Sequence, residues 1–298
     1  MAETDVTSVP EVKPSPRVSE YRRFINVLFG RKVVIFGFII IFLFVVAAIF
    51  APLLVPYPPN QTNLAITLQQ PSTQHWLGTD EMGRDVLSRL IYGSRIAIIV
   101  AIAVVFVAGV IGMLLGLIAG YFGGWMETII MRCMDALMSL PPLVLMLAIA
   151  VMLGPGLFNI IIALTVGFVP TYCRLMHGEI LSAKENDYIM AANIIGGNDF
   201  RIMFRHLVPN AFPPIFVIIT LDLGFAILSE AALSFLGIGI NPPTATWGAM
   251  INSGERYLLI NPLLSFAPGT AIVLVVLAFN LVGDGLRDAL DPRLRGVI

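Results

Sequence analysis

The sequence predicts an all-α polytopic membrane protein of six transmembrane helices, and three observations carry that fold class. The composition is 57% hydrophobic against 12% charged, with a mean hydropathy of +0.88, far more apolar than a soluble domain. Several uncharged runs reach the ~20 residues that a helix needs to cross ~30 Å of hydrocarbon. Lys and Arg are also unevenly placed. With six spans, fourteen of the 18 fall on the face that holds both termini, and only Arg84, Arg89, Arg95 and Arg256 fall on the other. Cytoplasmic segments carry such an excess, so both termini are expected inside. The net charge of -1 is uninformative, because placement rather than total orients a membrane protein.

Residues 1–20 are polar, contain Pro10, Pro14 and Pro16, and bury too little apolar surface to order themselves. They begin a cytoplasmic tail read over 1–32, in which Arg22, Arg23, Arg31 and Lys32 precede the first uncharged run. The run 33–55 is too long for the apolar core of a signal peptide and reads as a retained anchor helix. Pro52, Pro56, Pro58 and Pro59 end it. An outer loop, 56–94, follows, with an interfacial helix over 83–92 that Thr79 or Asp80 would cap. There Asp80, Glu81 and Asp85 offset Arg84, Arg89 and Arg95, so a locally neutralised helix is expected rather than one that contacts substrate.

Residues 95–287 hold the other five spans. The second, 96–120, carries Gly109, Gly112, Gly116 and Gly120 at helical spacing, a small-residue stripe suited to close helix contact. Gly123-Gly124-Trp125 turns the chain into the third span, 128–153, where Pro141-Pro142 should kink or break the helix. The fourth, fifth and sixth spans are read at 157–176, 211–236 and 265–283, and 288–298 form a C-terminal cytoplasmic tail.

Between spans four and five, 185–210 reads as a helical hairpin. A helix over 188–195 meets a break and new cap at Gly196-Gly197-Asn198-Asp199, and a second short helix over 200–208 carries Arg201, Arg205 and His206. So many polar groups cannot lie in hydrocarbon, and the hairpin must project from one face.

Ala191-Ala192, Gly196 and Pro209 at this spacing resemble the cytoplasmic coupling loop of ABC-importer permeases. DYIMAANIIGG and RIMFRHLVPN resemble the dipeptide, oligopeptide and nickel permease family in particular, as do LGTDEMGRDVLSRL, LGLIAGYFGGWMETIIMR, ALSFLGIGINPPTATWGAM and LAFNLVGDGLRDALDPRL. Met190 and Asn193 depart from the usual Glu and Arg of the motif. The resemblance implies a type I importer permease, the C-type partner with the shorter first outer loop. It would sit in a bacterial or archaeal plasma membrane with a homologous second permease subunit, two ATP-binding subunits and an external substrate-binding protein. Di- or oligopeptides are the implied substrates, with nickel or glutathione as alternatives. In the coupling hairpin, Ala191 and Ala192 would allow close approach and Gly196 a sharp turn. Phe200 would fill an apolar pocket of the ATPase, and Arg201 and Arg205 would pair with acids at its rim. Pro209 would stop the second helix and launch span five.

Lys13, Lys32 and Lys184 are the only lysines and none follows a glycine, so no phosphate-binding P-loop is present. ATP-Mg is therefore expected on the partner subunits, with no catalytic residue, cofactor or metal site in this chain and no nucleic-acid partner. Cys133 and Cys173 read as two free, packed thiols. Inside span five, Asp222 and Glu230 each cost ~2.5–3.5 kcal/mol to insert, which makes them candidates for a polar translocation pathway or for hydrogen bonds to a neighbouring span. Arg132 and Asp135 suggest an i, i+3 ion pair, and Asp284, Arg287 and Asp288 a network stabilising the tail. A self-contained secondary transporter or channel is the remote alternative, opposed by the lack of a matching second half.

Overall fold

The computed structural model describes residues 20–189 and 197–290, and among these residues there are helices and loops but no strand. In chain order the helices are α1 (Glu20–Phe29), α2 (Lys32–Leu54), α3 (Val86–Phe122), α4 (Gly124–Met138), α5 (Pro142–Leu153) and α6 (Leu157–Lys184). They continue with α7 (Asp199–Phe235), α8 (Trp247–Glu255) and α9 (Leu263–Leu290). Five of them, α2, α3, α6, α7 and α9, are long and apolar enough to span a membrane alone. Helices α4 and α5, bent by 88° at Ser139–Pro141, make a sixth crossing if the pair counts as one broken span. Pro141 and Pro142 donate no backbone hydrogen bond, and Pro141 pushes Leu140 out of helical geometry, so the expected break is complete.

Helices α3 and α7 are each 37 residues long, roughly 55 Å at 1.5 Å per residue. A bilayer with its headgroups is only ~40–45 Å thick, so both must protrude. The second span therefore has no separate interfacial helix before it. The helix expected over 83–92 is the first part of α3, which starts at Val86 and meets no breaker. Its cap is Asp85, whose carboxylate accepts from the Ser88 amide at 2.8 Å, rather than Thr79 or Asp80.

The expected small-residue stripe forms a close seam between α3 and α6. A Cβ added to Gly112 would stand 2.6 Å from Tyr172 Cβ, one on Gly116 2.8 Å from Met176 Cβ, and one on Gly120 2.9 Å from Ile180 Cβ. Helices α3 and α6 thus touch backbone to backbone over three turns, which only glycine permits. Gly109 is not part of the close contact, since its added Cβ would meet nothing nearer than 3.9 Å. Cys173 is buried in this seam, but Cys133 is exposed, so only one of the two free thiols is packed.

At the loop face opposite the hairpin, several buried polar side chains pair with one another and with the backbone. Asp80 accepts from the amides of Met82 and Arg84 and from Arg84 Nε at 2.6 Å, while Arg89 Nη1 donates to the carbonyls of Pro59 and Pro243. Asp85 also holds His75 Nδ1 at 2.8 Å and the Ser88 hydroxyl at 2.7 Å. Thr79 links Gln69 to Ile66 instead of capping a helix. Across this assembly lies Trp247 of α8, whose indole donates to the Leu90 carbonyl at 2.9 Å.

Candidate functional site

The hairpin begins where α6 ends at Lys184 and returns in α7. Ala191, Ala192 and Gly196 lie outside the described residues. On the returning arm Asn198 is the cap, its side chain accepting from the Phe200 amide at 2.9 Å. The second short helix does not stop at Pro209. It opens into a π-helical turn over Ile202–Leu207 and continues through Val208 and Pro209 into the long span. The wider turn offers a physical reason. A proline inside a helix lacks the donor for the carbonyl four residues back and crowds it, and the extra residue in the turn makes room without ending the helix.

This arm has two faces. Ile202, Met203 and Leu207 are buried, and with the buried Ile189 of the first arm they join the bundle core. Asn210 Nδ2 donates to the Tyr188 hydroxyl at 2.9 Å, bridging the two arms. The other face carries Phe200, 65% exposed, its ring centre 4.5 Å from that of Phe204 in a tilted pair, with Arg201 and Arg205 beside them and Pro209 also exposed. The result is a short aromatic and cationic stripe on a firmly rooted base.

Polar contacts surround that base. Tyr121, near the end of α3, donates its hydroxyl to Asp199 Oδ1 at 2.7 Å. Lys184 Nζ donates to the carbonyls of Gly120 and Tyr121 at 3.2 and 2.8 Å. His177 of α6 meets Glu127 of α4 at 2.8 Å, and Arg174 of α6 pairs with Asp135. Asp135 was expected to pair with Arg132, which is present but stretched to 3.8 Å and mostly exposed. The expected Asp284–Arg287–Asp288 network is replaced by an ion pair between Asp288 and Arg31 at the start of α2, 2.6 Å long.

The two acids of span five lie eight residues apart, about 80° around the axis, and differ in burial. Glu230 is 1% exposed, and its carboxylate accepts from Ser234 one turn later at 2.6 Å. It faces the interior of this chain, not an open wall. Asp222 is partly exposed and sits beside Tyr172 of α6, with neither the Tyr172 hydroxyl nor Asp222 Oδ2 in a well-formed hydrogen bond. Of the pair, only Asp222 is partly exposed.

Residues 112–296 match the family model described as the binding-protein-dependent transport system inner membrane component, and residues 19–71 match the N-terminal TM domain of oligopeptide transport permease C. The chain belongs to this permease family. The hairpin, Asp222 and Glu230 all fall inside the longer match. Among its relatives, a dipeptide transport system permease protein of Alkalihalophilus pseudofirmus is 43% identical over 93% of this chain and 91% of its own length. A probable D,D-dipeptide transport system permease protein of Escherichia coli is 42% identical over 90% of each chain. A glutathione transport system permease protein of Pectobacterium atrosepticum is 38% identical over 97% of each. The protein is therefore a multi-pass membrane permease of the C type, and its relatives are transport permeases rather than enzymes.

The sequence singled out the exposed stripe through Phe200, Arg201 and Arg205, but not the Tyr121, Lys184 and Asp199 contacts at its base. Those residues are 63 and 78 positions apart in the chain, and the only local signal was a polar-tipped aromatic just before a Gly-Gly turn.

Proposed function

We propose that this chain forms half of the translocation pathway of an ATP-driven importer for di- or oligopeptides, set in a bacterial or archaeal plasma membrane with the hairpin and both termini in the cytoplasm. A homologous permease completes the pathway, two separate subunits bind and hydrolyse ATP-Mg, and an external protein delivers the peptide. The observation that carries the reading is the hairpin: its inner face is locked into the bundle while Phe200, Phe204, Arg201 and Arg205 stand outward. Aromatic and arginine side chains on a rigid base are what a protein-docking surface needs, because they bury large area at low cost in conformational freedom. As the family resemblance implies, Ala191 and Ala192 would allow close approach of the ATPase, and Gly196 would allow a sharp turn. Asp222 is the acid through which the pathway would meet a peptide amino group; Glu230 serves the fold.

Two relatives named for dipeptides favour that substrate class, and the glutathione permease supports a second reading, a γ-linked tripeptide, that the same pathway would accept. Selection between them lies with the binding protein. Titrating that protein with dialanine and with glutathione decides the class, and tight binding of glutathione alone overturns the preference for dipeptides. The coupling role is tested with Gly196→Trp. The variant should insert in the membrane yet lose ATPase association or peptide uptake, and normal uptake with normal ATPase retention would remove the hairpin from the mechanism.

A further inference from the structure

The end of α3 is bonded to Lys184, just before the hairpin, and to Asp199, where its returning arm begins. Helix α3 stops at Phe122 because Gly123 follows with φ +67°, so the carbonyls of Gly120 and Tyr121 are among the last of the helix and lack partners within it. Lys184, the final residue of α6, donates to both, a cation placed at the negative end of a helix. Its ammonium also stands 5.7 Å from the centre of the Tyr121 ring. The Tyr121 hydroxyl reaches the opposite way to Asp199, the first residue of α7, in a short hydrogen bond to a carboxylate. The end of α3 thus joins Lys184, through its last carbonyls, to Asp199, through the Tyr121 hydroxyl.

We propose that Tyr121 is a positioning residue for transport: its bond to Asp199, with Lys184 holding the end of α3, fixes the hairpin against α3 and delivers the ATPase stroke to the α3–α6 pair. The proposal rests on the reading of the hairpin as the ATPase docking element and names where its motion goes. The hairpin cannot tilt without carrying the end of α3 or breaking these bonds. Helices α3 and α6 cannot slide past each other, because Gly112, Gly116 and Gly120 hold their backbones in contact. A push at Tyr121 and Lys184 therefore moves the pair as one lever, and its far end lies at Val86 and Leu157 on the opposite face. Two discrete arrangements of a packed pair are what alternating access requires.

The test uses the whole transporter in proteoliposomes, with its binding protein and labelled dialanine, and reads peptide uptake and ATP hydrolysis together. Tyr121→Phe removes only the hydroxyl. It should leave ATPase retention and hydrolysis unchanged while uptake per ATP falls about five-fold, the scale of coupling changes at residues remote from either ligand. Asp199→Ala should do the same, and the double variant should be no worse than either single one, because both remove one bond. Asp199→Asn keeps an acceptor oxygen and should restore most of the ratio. A wild-type ratio in Tyr121→Phe, or losses that multiply in the double variant, overturns the proposal. A wild-type chain that never retains the ATPases overturns the docking reading and this proposal together, which separates the two failures.

Discussion

The two ends of this molecule solve opposite problems with similar residues. At the loop face, Arg84 and Arg89 are 7% and 6% exposed, and each is held by a carboxylate or by backbone carbonyls of the same chain. At the hairpin face, Arg201 and Arg205 are exposed beside two exposed phenylalanines. A buried guanidinium must find its partners within the fold, because desolvation without pairing costs several kcal/mol. An exposed guanidinium on a rigid helix leaves its pairing to another protein. The loop face is finished as it stands, whereas the hairpin face is finished on its inner side only.

Removing one charge from the finished end should have the largest effect. Arg84→Ala leaves Asp80 buried with Arg89 Nε at 3.6 Å as its remaining cation. Breaking a buried pair on one side costs about 3–5 kcal/mol, which corresponds to roughly a 10 °C fall in the denaturation midpoint of the detergent-solubilised chain. A shift within a degree or two would show that the loop face is not held by this network.

Phe200→Ala or Arg205→Ala at the other end should spare the midpoint, since exposed substitutions usually change stability by less than ~0.5 kcal/mol. Their effect should appear in assembly. Truncating an aromatic or arginine anchor of an interface costs about 2 kcal/mol or more, so retention of the ATPase subunits should weaken at least ten-fold. Equal loss of stability and assembly would mean that the stripe supports the fold rather than a partner.

The same contrast explains how much of the molecule was legible in its sequence. Spans and breaks were readable because hydrophobic length, Pro141-Pro142 and Gly123-Gly124 act locally. That 197–208 returns as a polar-faced arm was readable because charge cannot stay in lipid, whereas 190–196 lie outside the described residues. What the sequence left open were choices among chemically equivalent groups. Thr79, Asp80 and Asp85 can each cap a helix, and only the fold shows that Thr79 and Asp80 organise the loop while Asp85 takes the cap. Pro209 looked like a stop, yet a π-helical turn absorbs it. Glu230 and Asp222 differ in where they point, and that depends on helix rotation against α6, a tertiary quantity. The Tyr121–Asp199 contact spans 78 residues and left no periodic trace.

The smallest effect should come from Trp247→Phe, which tests whether the loop face is locked by its ion pairs or by packing. The indole lies across α3: it donates to the Leu90 carbonyl, its ring centre is 5.7 Å from that of Phe44, and a Cβ on Gly93 would stand 2.8 Å from its edge. A phenyl ring keeps most of that contact and loses the single N–H donor. A neutral hydrogen bond contributes about 1 kcal/mol net, so the midpoint should fall by only ~2–4 °C, well short of Arg84→Ala. The Leu90 carbonyl lies within a helix, which limits the desolvation penalty left behind. A fall as large as that of Arg84→Ala would place the lock in the contacts of Trp247 with α2 and α3. It would also make the charged cluster a consequence of that packing.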